Sequence, residues 1–362
     1  MINRISISVI LPCYNVAQFI ERAMDSILMQ DFDDYEIIIV NDGSPDNLLD
    51  VCRKWENLPN VTILTTPNQG VAQARNEGLS IAKGEYVYFM DPDDYLNQGL
   101  FSTLYKKAKE EDCDAIYFGH RTIEEYRGNW TYDTKTTECC YNSHESIMKD
   151  CLPKFIGFGQ NDFDNWTNGN PWQNKEFASV WRFMFRRSLL EEKNIRFSKG
   201  VKLSEDKYFV LNVLLHSTKV CAVENIYYNY IMRANGGLVN SLSNSKNLLK
   251  AKIDGVVERG KLRNIANSLY GEDIFSLYCG TIVLGVIELI VRGATMPIIN
   301  CLKDVSQYMS LSDVKEAYKL VSLSGLPLKF RIPTMMVKYH MSSLLVTLIH
   351  IASKFGVKFS AF

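Results

Sequence analysis

The chain has 362 residues, 46% hydrophobic and 22% charged, a globular balance that excludes a disordered or fibrous protein. Lys and Arg total 40 against 41 Asp and Glu, a net charge of −1. That near-neutral total argues against a nucleic-acid binder, which carries a basic excess.

At about 150 residues per domain, the length predicts two domains or one large domain with an appendage. Met1 to Ser6 runs directly into a strand pattern, with no apolar core segment or small-residue cleavage site of a secretory signal. A cytoplasmic protein is therefore expected, and the sequons at Asn129 and Asn165 carry no expected glycan. The nine cysteines include no CxxC pair, which predicts reduced, mostly buried thiols. No charge-free apolar run suffices for a membrane span. Ile274 to Val291 comes closest, but Glu288 and two glycines interrupt it, so it reads as a buried helix.

Five short apolar runs punctuate the first third: Ile7–Leu11, Ile37–Val40, Val61–Leu64, Tyr86–Phe89 and Ala115–Phe118. They are β-branched or aromatic and nearly continuous, as in strands buried on both faces, so the sheet should be mostly parallel. Helical stretches fill the gaps at 16–29, 45–55, 71–83 and 98–112. In the last of these, Phe101, Leu104, Tyr105 and Ala108 form an apolar stripe. Strand and helix in alternation predict an α/β fold with a doubly wound sheet.

From Arg121 to Lys175 the pattern breaks into long loops with short elements, rich in Trp, Tyr, Asn and Asp; loops of that length in a compact domain are usually functional. Ser179–Glu192 and Leu203–Leu215 read as helices, and Val220–Tyr230 reads as a strand. The Asn235-Gly236-Gly237 break sets the expected domains at 1–234 and 235–362, the second a helical C-terminal extension.

In a doubly wound sheet, ligands bind outside the carboxyl ends of the strands. Those tips are Pro12-Cys13-Tyr14-Asn15, Asn41-Asp42-Gly43-Ser44, Thr66-Pro67-Asn68-Gln69-Gly70 and Asp91-Pro92-Asp93-Asp94. No GxGxxG follows the first strand and no GxxxxGK[ST] occurs, which disfavours dinucleotide and P-loop sites. Asp91, Asp93 and Asp94 repel one another unless a cation relieves them. Oxygen ligands suit Mg²⁺ or Mn²⁺, which also bridges a diphosphate; an acidic turn capping a helix is the plainer alternative. Asp42 could cap a helix or accept a base N–H, and Arg75 lies one turn into a helix beside the same tips. The five histidines show no metal-ligand spacing.

At these residues the chain resembles family 2 glycosyltransferases with the GT-A type nucleotide-sugar fold. Val9–Asn15 is similar to the family's opening strand, Val40–Ser44 to its second-strand signature, Gly70–Gly78 to its Ala-Arg-Asn-x-Gly segment, and Asp91–Asp94 to its DxD. The likeness weakens through Val180-Trp181 and Arg186–Leu189 to Ser204-Glu205-Asp206 and ends near Tyr230. It implies a nucleotide-binding set of Pro12, Tyr14, Asn15, Asp42, Asn68, Arg75, Asp91 and Asp93, with Asp93 and Asp91 holding Mn²⁺ or Mg²⁺. It implies Asp206 as the general base of an inverting transfer. Glu205 and Trp181 fall on the acceptor side, along with the 121–175 loops. By resemblance the donor would be a UDP-linked nucleotide sugar and the acceptor a glycan or lipid-linked glycan. The sequence departs from the pattern where Tyr227-Tyr228-Asn229-Tyr230 is followed by Ile231-Met232-Arg233, which leaves Arg233 without an assigned role. No Gln-x-x-Arg-Trp occurs, against a processive synthase. A sugar nucleotidyltransferase would need a Gly-rich loop and a Lys after the first strand, which are absent; a binding scaffold without turnover is the non-enzymatic alternative.

After Glu316 the chain has no Asp or Glu but carries Lys319, Lys329, Arg331, Lys338, Lys354 and Lys358. Projected at about 100° per residue, Met341, Leu344, Leu348, Ile351, Ala352 and Phe355 share one face, with Ser343, Thr347, His350 and Lys354 opposite. Two readings follow: the stripe packs onto the catalytic domain, or the helix lies peripherally on an anionic membrane surface.

Overall fold

The computed structural model describes residues 5–166, 175–201, 203–234 and 245–357. The Asn235-Gly236-Gly237 break lies outside them. The chain forms two compact units. One holds Met1–Leu152, Ala178–Val201 and Glu205–Gly236; the other holds Pro153–Phe177, Lys202–Ser204 and Gly237–Phe362.

The first unit is built on β1 (Ile7–Cys13), α1 (Ile20–Leu28), β2 (Tyr35–Asp42), α2 (Leu48–Cys52), β3 (Val61–Thr66), α3 (Val71–Ile81) and β4 (Tyr86–Phe89). β1 pairs in parallel with β2 and β4, and β2 in parallel with β3. Every residue of β1, β2 and β4 is buried, as continuous apolar runs require. β3 at the edge alternates instead, with Thr62 and Thr65 exposed. Helix α3 lies close on this sheet because residue 78 is glycine: a Cβ there would come within 2.5 Å of Ile10 Cγ2.

The sheet continues through β5 (Tyr95–Leu96), α4 (Leu100–Glu111), β6 (Ala115–Glu124), β7 (Trp130–Thr134) and β8 (Cys139–Tyr141) to β9 (Phe183–Arg186), α8 (Arg187–Glu192), α9 (Glu205–His216) and β10 (Val220–Met232). Between β8 and β9 lie the short helices α5 (His144–Ser146), α6 (Leu152–Ile156) and α7 (Gln160–Asn165). The strand order is β3-β2-β1-β4-β9-β6-β10-β5, with β7 beside β6 and β8 beside β10. The fold is the expected α/β type: a parallel core extended into a mixed sheet.

Three expectations change. Ser179–Glu192 is not one helix: Val180–Arg182 makes a single tight turn, Phe183–Arg186 becomes β9, and only Arg187–Glu192 is α-helical. β9 slots antiparallel between β4 and β6, so β6 does not neighbour β4; the two open strand edges prevail over the local helical pattern. The 121–175 stretch is more ordered than loops, since β6 runs on to Glu124 and pairs with β7. Its part from Pro153 groups with the helical unit, where Trp166 is buried against Phe158, Phe163 and Phe330. The thiols are not all reduced: Cys140 and Cys221 face each other in the β8–β10 register and form a disulfide. Their 81-residue separation hid this pairing from spacing arguments. The remaining seven cysteines are free, and six of them are buried.

The second unit is helical. α10 (Ser245–Tyr270), α11 (Cys279–Arg292), α12 (Ile298–Ser310), α13 (Ser312–Leu320), α14 (Leu328–Lys338) and α15 (Ser342–Lys354) follow in order. α11 is the apolar stretch expected to be buried, and it is, with hydroxyls of Tyr308 and Tyr318 donating to its Ile282 and Val283 carbonyls. Among the described residues no helix is long and apolar enough to cross a membrane.

Candidate active site

The polar tips of β1, β2 and β3 are tied together by side chain to backbone bonds. Asp42, buried at the end of β2, caps no helix. Its two carboxylate oxygens accept the N–H groups of Gln69 and Gly70, each at 2.8 Å, and so fix the turn that opens α3. The neighbouring Gly43 has φ +62°, and a Cβ there would sit 2.8 Å from the Asn68 nitrogen. Only glycine allows the two tips to approach so closely. Asn68 is exposed on that loop. Pro12 is buried within β1, whereas Tyr14 and Asn15 stand exposed just beyond it, Asn15 at φ +56° with its N–H on Ser44 Oγ at 2.7 Å. Asp46, not singled out from sequence, accepts from Ser44 Oγ at 2.5 Å and from the Ala17 N–H at 2.8 Å, linking the β1 and β2 tips. Its signal was a Ser-Pro-Asp turn after a strand.

At the β4 tip, the three clustered aspartates take different positions. Asp94 is fully buried, accepting from the Tyr228 hydroxyl at 2.7 Å and the Ile231 N–H at 2.8 Å. Burial beside two like charges pushes its carboxyl well above the usual range. Asp91 and Asp93 stay half-exposed. Arg75, one turn into α3 and buried, donates to Asp91 Oδ1 at 2.9 Å. Arg233, at the end of β10, donates to Asp93 Oδ2 at 2.8 Å and to the Asp93 carbonyl at 2.9 Å, its guanidinium lying over the Phe19 ring. Arg22 also donates to the Asp93 carbonyl, at 2.8 Å. Desolvation and the Asp91 charge raise the Asp93 carboxyl, with Arg233 opposing them. The repulsion read from sequence is thus relieved by two guanidinium groups, on Asp91 and on Asp93, while Asp94 is held apart by its two hydrogen-bond donors. Of these arginines, Arg233 was visible only as the end of a tyrosine-rich strand, and Arg22 gave no signal.

Arg75 reaches a second partner, Glu205 Oε1, at 3.1 Å. It thereby joins the β4 tip to the first turn of α9, where Asp206 follows. Asp206 is pushed up from 3.8 to about 7, by desolvation and then by the charge of Glu205, with Arg75 opposing. Glu205 is therefore an ion-pair partner inside the unit. Trp181, expected on the acceptor side, is buried with its ring stacked on Tyr228 and Tyr230, at 4.2 and 5.6 Å between centroids. His120 packs edge-on to Trp181 at 5.0 Å and burial depresses it to about 3, so it is neutral at physiological pH.

The arrangement offers a half-buried carboxylate raised toward neutrality, two half-exposed carboxylates at the neighbouring strand tip, and arginines between them. The donor set at Asp91 and Asp93 is all oxygen, fitting a hard divalent cation completed by ligand phosphates.

Comparison with known proteins identifies the framework. The sequence model described as "Glycosyl transferase family 2" matches residues 8–193, just over half of the chain. The chain is 28% identical over 235 residues to the uncharacterized glycosyltransferase EpsJ of Bacillus subtilis, covering 62% of this chain and 60% of EpsJ. It is 26% identical over 289 residues to the cholesterol galactosyltransferase of Borreliella burgdorferi, covering 77% and 75%. Among solved structures, residues 1–349 of Staphylococcus aureus TarS in complex with UDP-GlcNAc superpose with a TM-score of 0.60 at 19% identity, covering 98% of this chain and 93% of that one. The match thus spans about three fifths of EpsJ's length. With four ordered motifs at the strand tips of one parallel core, the chain belongs to glycosyl transferase family 2.

Proposed function

We propose that this protein transfers a sugar from a nucleotide donor, UDP-linked, to a glycan or lipid-linked glycan acceptor in cell-surface polysaccharide or glycolipid synthesis, with inversion at the anomeric carbon. The observation that carries it is Asp206, half-buried in the first turn of α9 next to the Arg75–Glu205 pair, its carboxyl raised to about 7. A general base works best with a pKa near the operating pH. Asp206 takes the proton of the acceptor hydroxyl as the new glycosidic bond forms, a role contributing about 10²–10⁴-fold. Arg75 orients this end of the site: its guanidinium holds Glu205 and Asp91 together.

Tyr14, Asn15, Asp42 and Asn68 frame the nucleotide end. Asp42 does so by fixing the turn beside it, with oxygens that also carry free lone pairs for a base N–H. Asp91 and Asp93 would hold Mn²⁺ or Mg²⁺, which when bound neutralises charge on the departing diphosphate. Arg233 and Arg22 keep the Asp93 segment in place. The UDP-GlcNAc complex of TarS supports a uridine donor, and the lipid acceptor named for the Borreliella relative supports an acceptor of glycolipid type.

A thermal-shift screen of nucleotide sugars with and without Mn²⁺, followed by UDP release from any hit, tests this reading. Stabilisation by UDP-sugars and slow hydrolysis in Mn²⁺ are expected. Binding without any turnover toward water or glycan acceptors would leave a nucleotide-sugar scaffold instead.

A further inference from the structure

The last two helices bury one side each and leave a second apolar row outside. In α14, Phe330, Thr334 and Val337 are buried, while Leu328, Ile332, Met335 and the following Tyr339 are exposed. In α15, Leu345, Val346, Ile349 and His350 are buried, while Met341, Leu344, Leu348, Ile351 and Phe355 face solvent, Phe355 at 83%. Both outward rows follow helical spacing, and the two helices pack on each other. The apolar stripe read from sequence is therefore not the face that packs. Single exposed leucines are ordinary, but rows along two consecutive helices mark an interaction surface.

Charge selects the occupant. From residue 317 onward the chain has six Lys or Arg and no acidic residue, within a protein of net charge −1. Lys329 and Lys354 are exposed on the same two helices, and Lys319 precedes them. A second copy of this face would bring like charge against like. Helices of 11 and 13 residues are too short to span a bilayer but suited to lie at its interface. We infer that α14 and α15 form a docking surface for an anionic lipid bilayer, with the outward apolar rows in the headgroup region and the lysines toward lipid phosphates. Each basic residue near an anionic leaflet contributes roughly fivefold in partitioning.

Flotation of the full chain with vesicles tests this independently of catalysis. The protein should float with phosphatidylcholine–phosphatidylglycerol vesicles and much less with phosphatidylcholine alone. Raising salt from about 0.1 to about 0.5 M, which shortens screening from ~10 to ~4 Å, should weaken it severalfold. The exposed pair Leu344→Glu and Leu348→Glu should lower partitioning by about tenfold or more, with an unchanged melting curve and an unchanged thermal response to UDP and Mn²⁺. Failure of the wild type to bind anionic vesicles would overturn the inference, as would equal binding by the double variant. Sedimentation showing a dimer that the double variant dissociates would assign the face to a second copy and overturn it too.

Discussion

The guanidinium of Arg75 and the carboxylate of Glu205, 130 residues apart in the chain, meet at 3.1 Å in the interior of the sheet unit. Both side chains are less than a tenth exposed, so the pair sits where charges are costly without partners. Arg75 answers two carboxylates at once, Glu205 and Asp91. Arg75→Met should destabilise the protein by about 3–5 kcal/mol, the usual result of leaving buried charge uncompensated. Urea titration measures it. A variant as stable as wild type would show that the network is incidental.

Asp206 titrates beside that network, raised by desolvation and then by the charge of Glu205, and lowered by Arg75. If Asp206 is the base, turnover falls as pH drops below about 7. Glu205→Gln should move this acid limb to lower pH, because a charge that raises Asp206 has gone; Arg75→Met, where it still folds, should move it up. Full pH profiles of kcat/KM decide it, and a limb that ignores both substitutions would assign the titration elsewhere.

Asp206→Asn separates chemistry from binding. Affinity for UDP by calorimetry should stay near wild type while kcat drops by about 10² or more. The same variant carries a stability signature. A folded pKa raised from 3.8 to about 7 means the folded state holds a proton that the unfolded state releases between those values. That contribution is fully present below about pH 4 and lost as pH rises through about 7. The melting temperature of Asp206→Asn relative to wild type should therefore be higher at pH 8 than at pH 5; no pH dependence in the difference would contradict the raised carboxyl.

The neighbouring aspartates should divide by role. Asp94→Ala leaves the Tyr228 hydroxyl and the Ile231 N–H without their acceptor, costing about 2–4 kcal/mol for two unsatisfied donors. Asp93→Ala removes a half-exposed carboxylate and should change stability by about 1 kcal/mol or less, yet abolish the response of UDP binding to Mn²⁺. Chemical denaturation beside metal titration tests both, and the reverse assignment would follow if Asp94→Ala lost the metal response alone.

The Cys140–Cys221 disulfide closes an 81-residue separation. Alkylation in denaturant without reductant should label seven of the nine cysteines, and reduction should destabilise the protein by about 2–5 kcal/mol. Nine labelled cysteines before reduction would refute the bond.

Continuous apolar runs determined β1, β2 and β4 and their parallel pairing, because strands covered on both faces must be apolar throughout. The polar residues after each run then fell at the carboxyl edge for the same topological reason, which gathers Asp42, Arg75, Asp91 and Asp93 at that edge. Four motifs in order carried the family. What the sequence could not determine is which partner covers a given face. Phe183–Arg186 reads locally as helix and becomes strand only because β4 and β6 offer it two edges. Trp181 could have met a sugar, but it is buried and stacks on Tyr228 and Tyr230. Cys140 finds Cys221 through strand register, and Arg75 finds Glu205 through the placement of α9. On α15 periodicity identified an apolar row, yet the tertiary structure turned that row outward and packed Leu345, Val346 and Ile349 instead. Periodicity reports which residues seek cover; only the assembled fold decides which of them receive it.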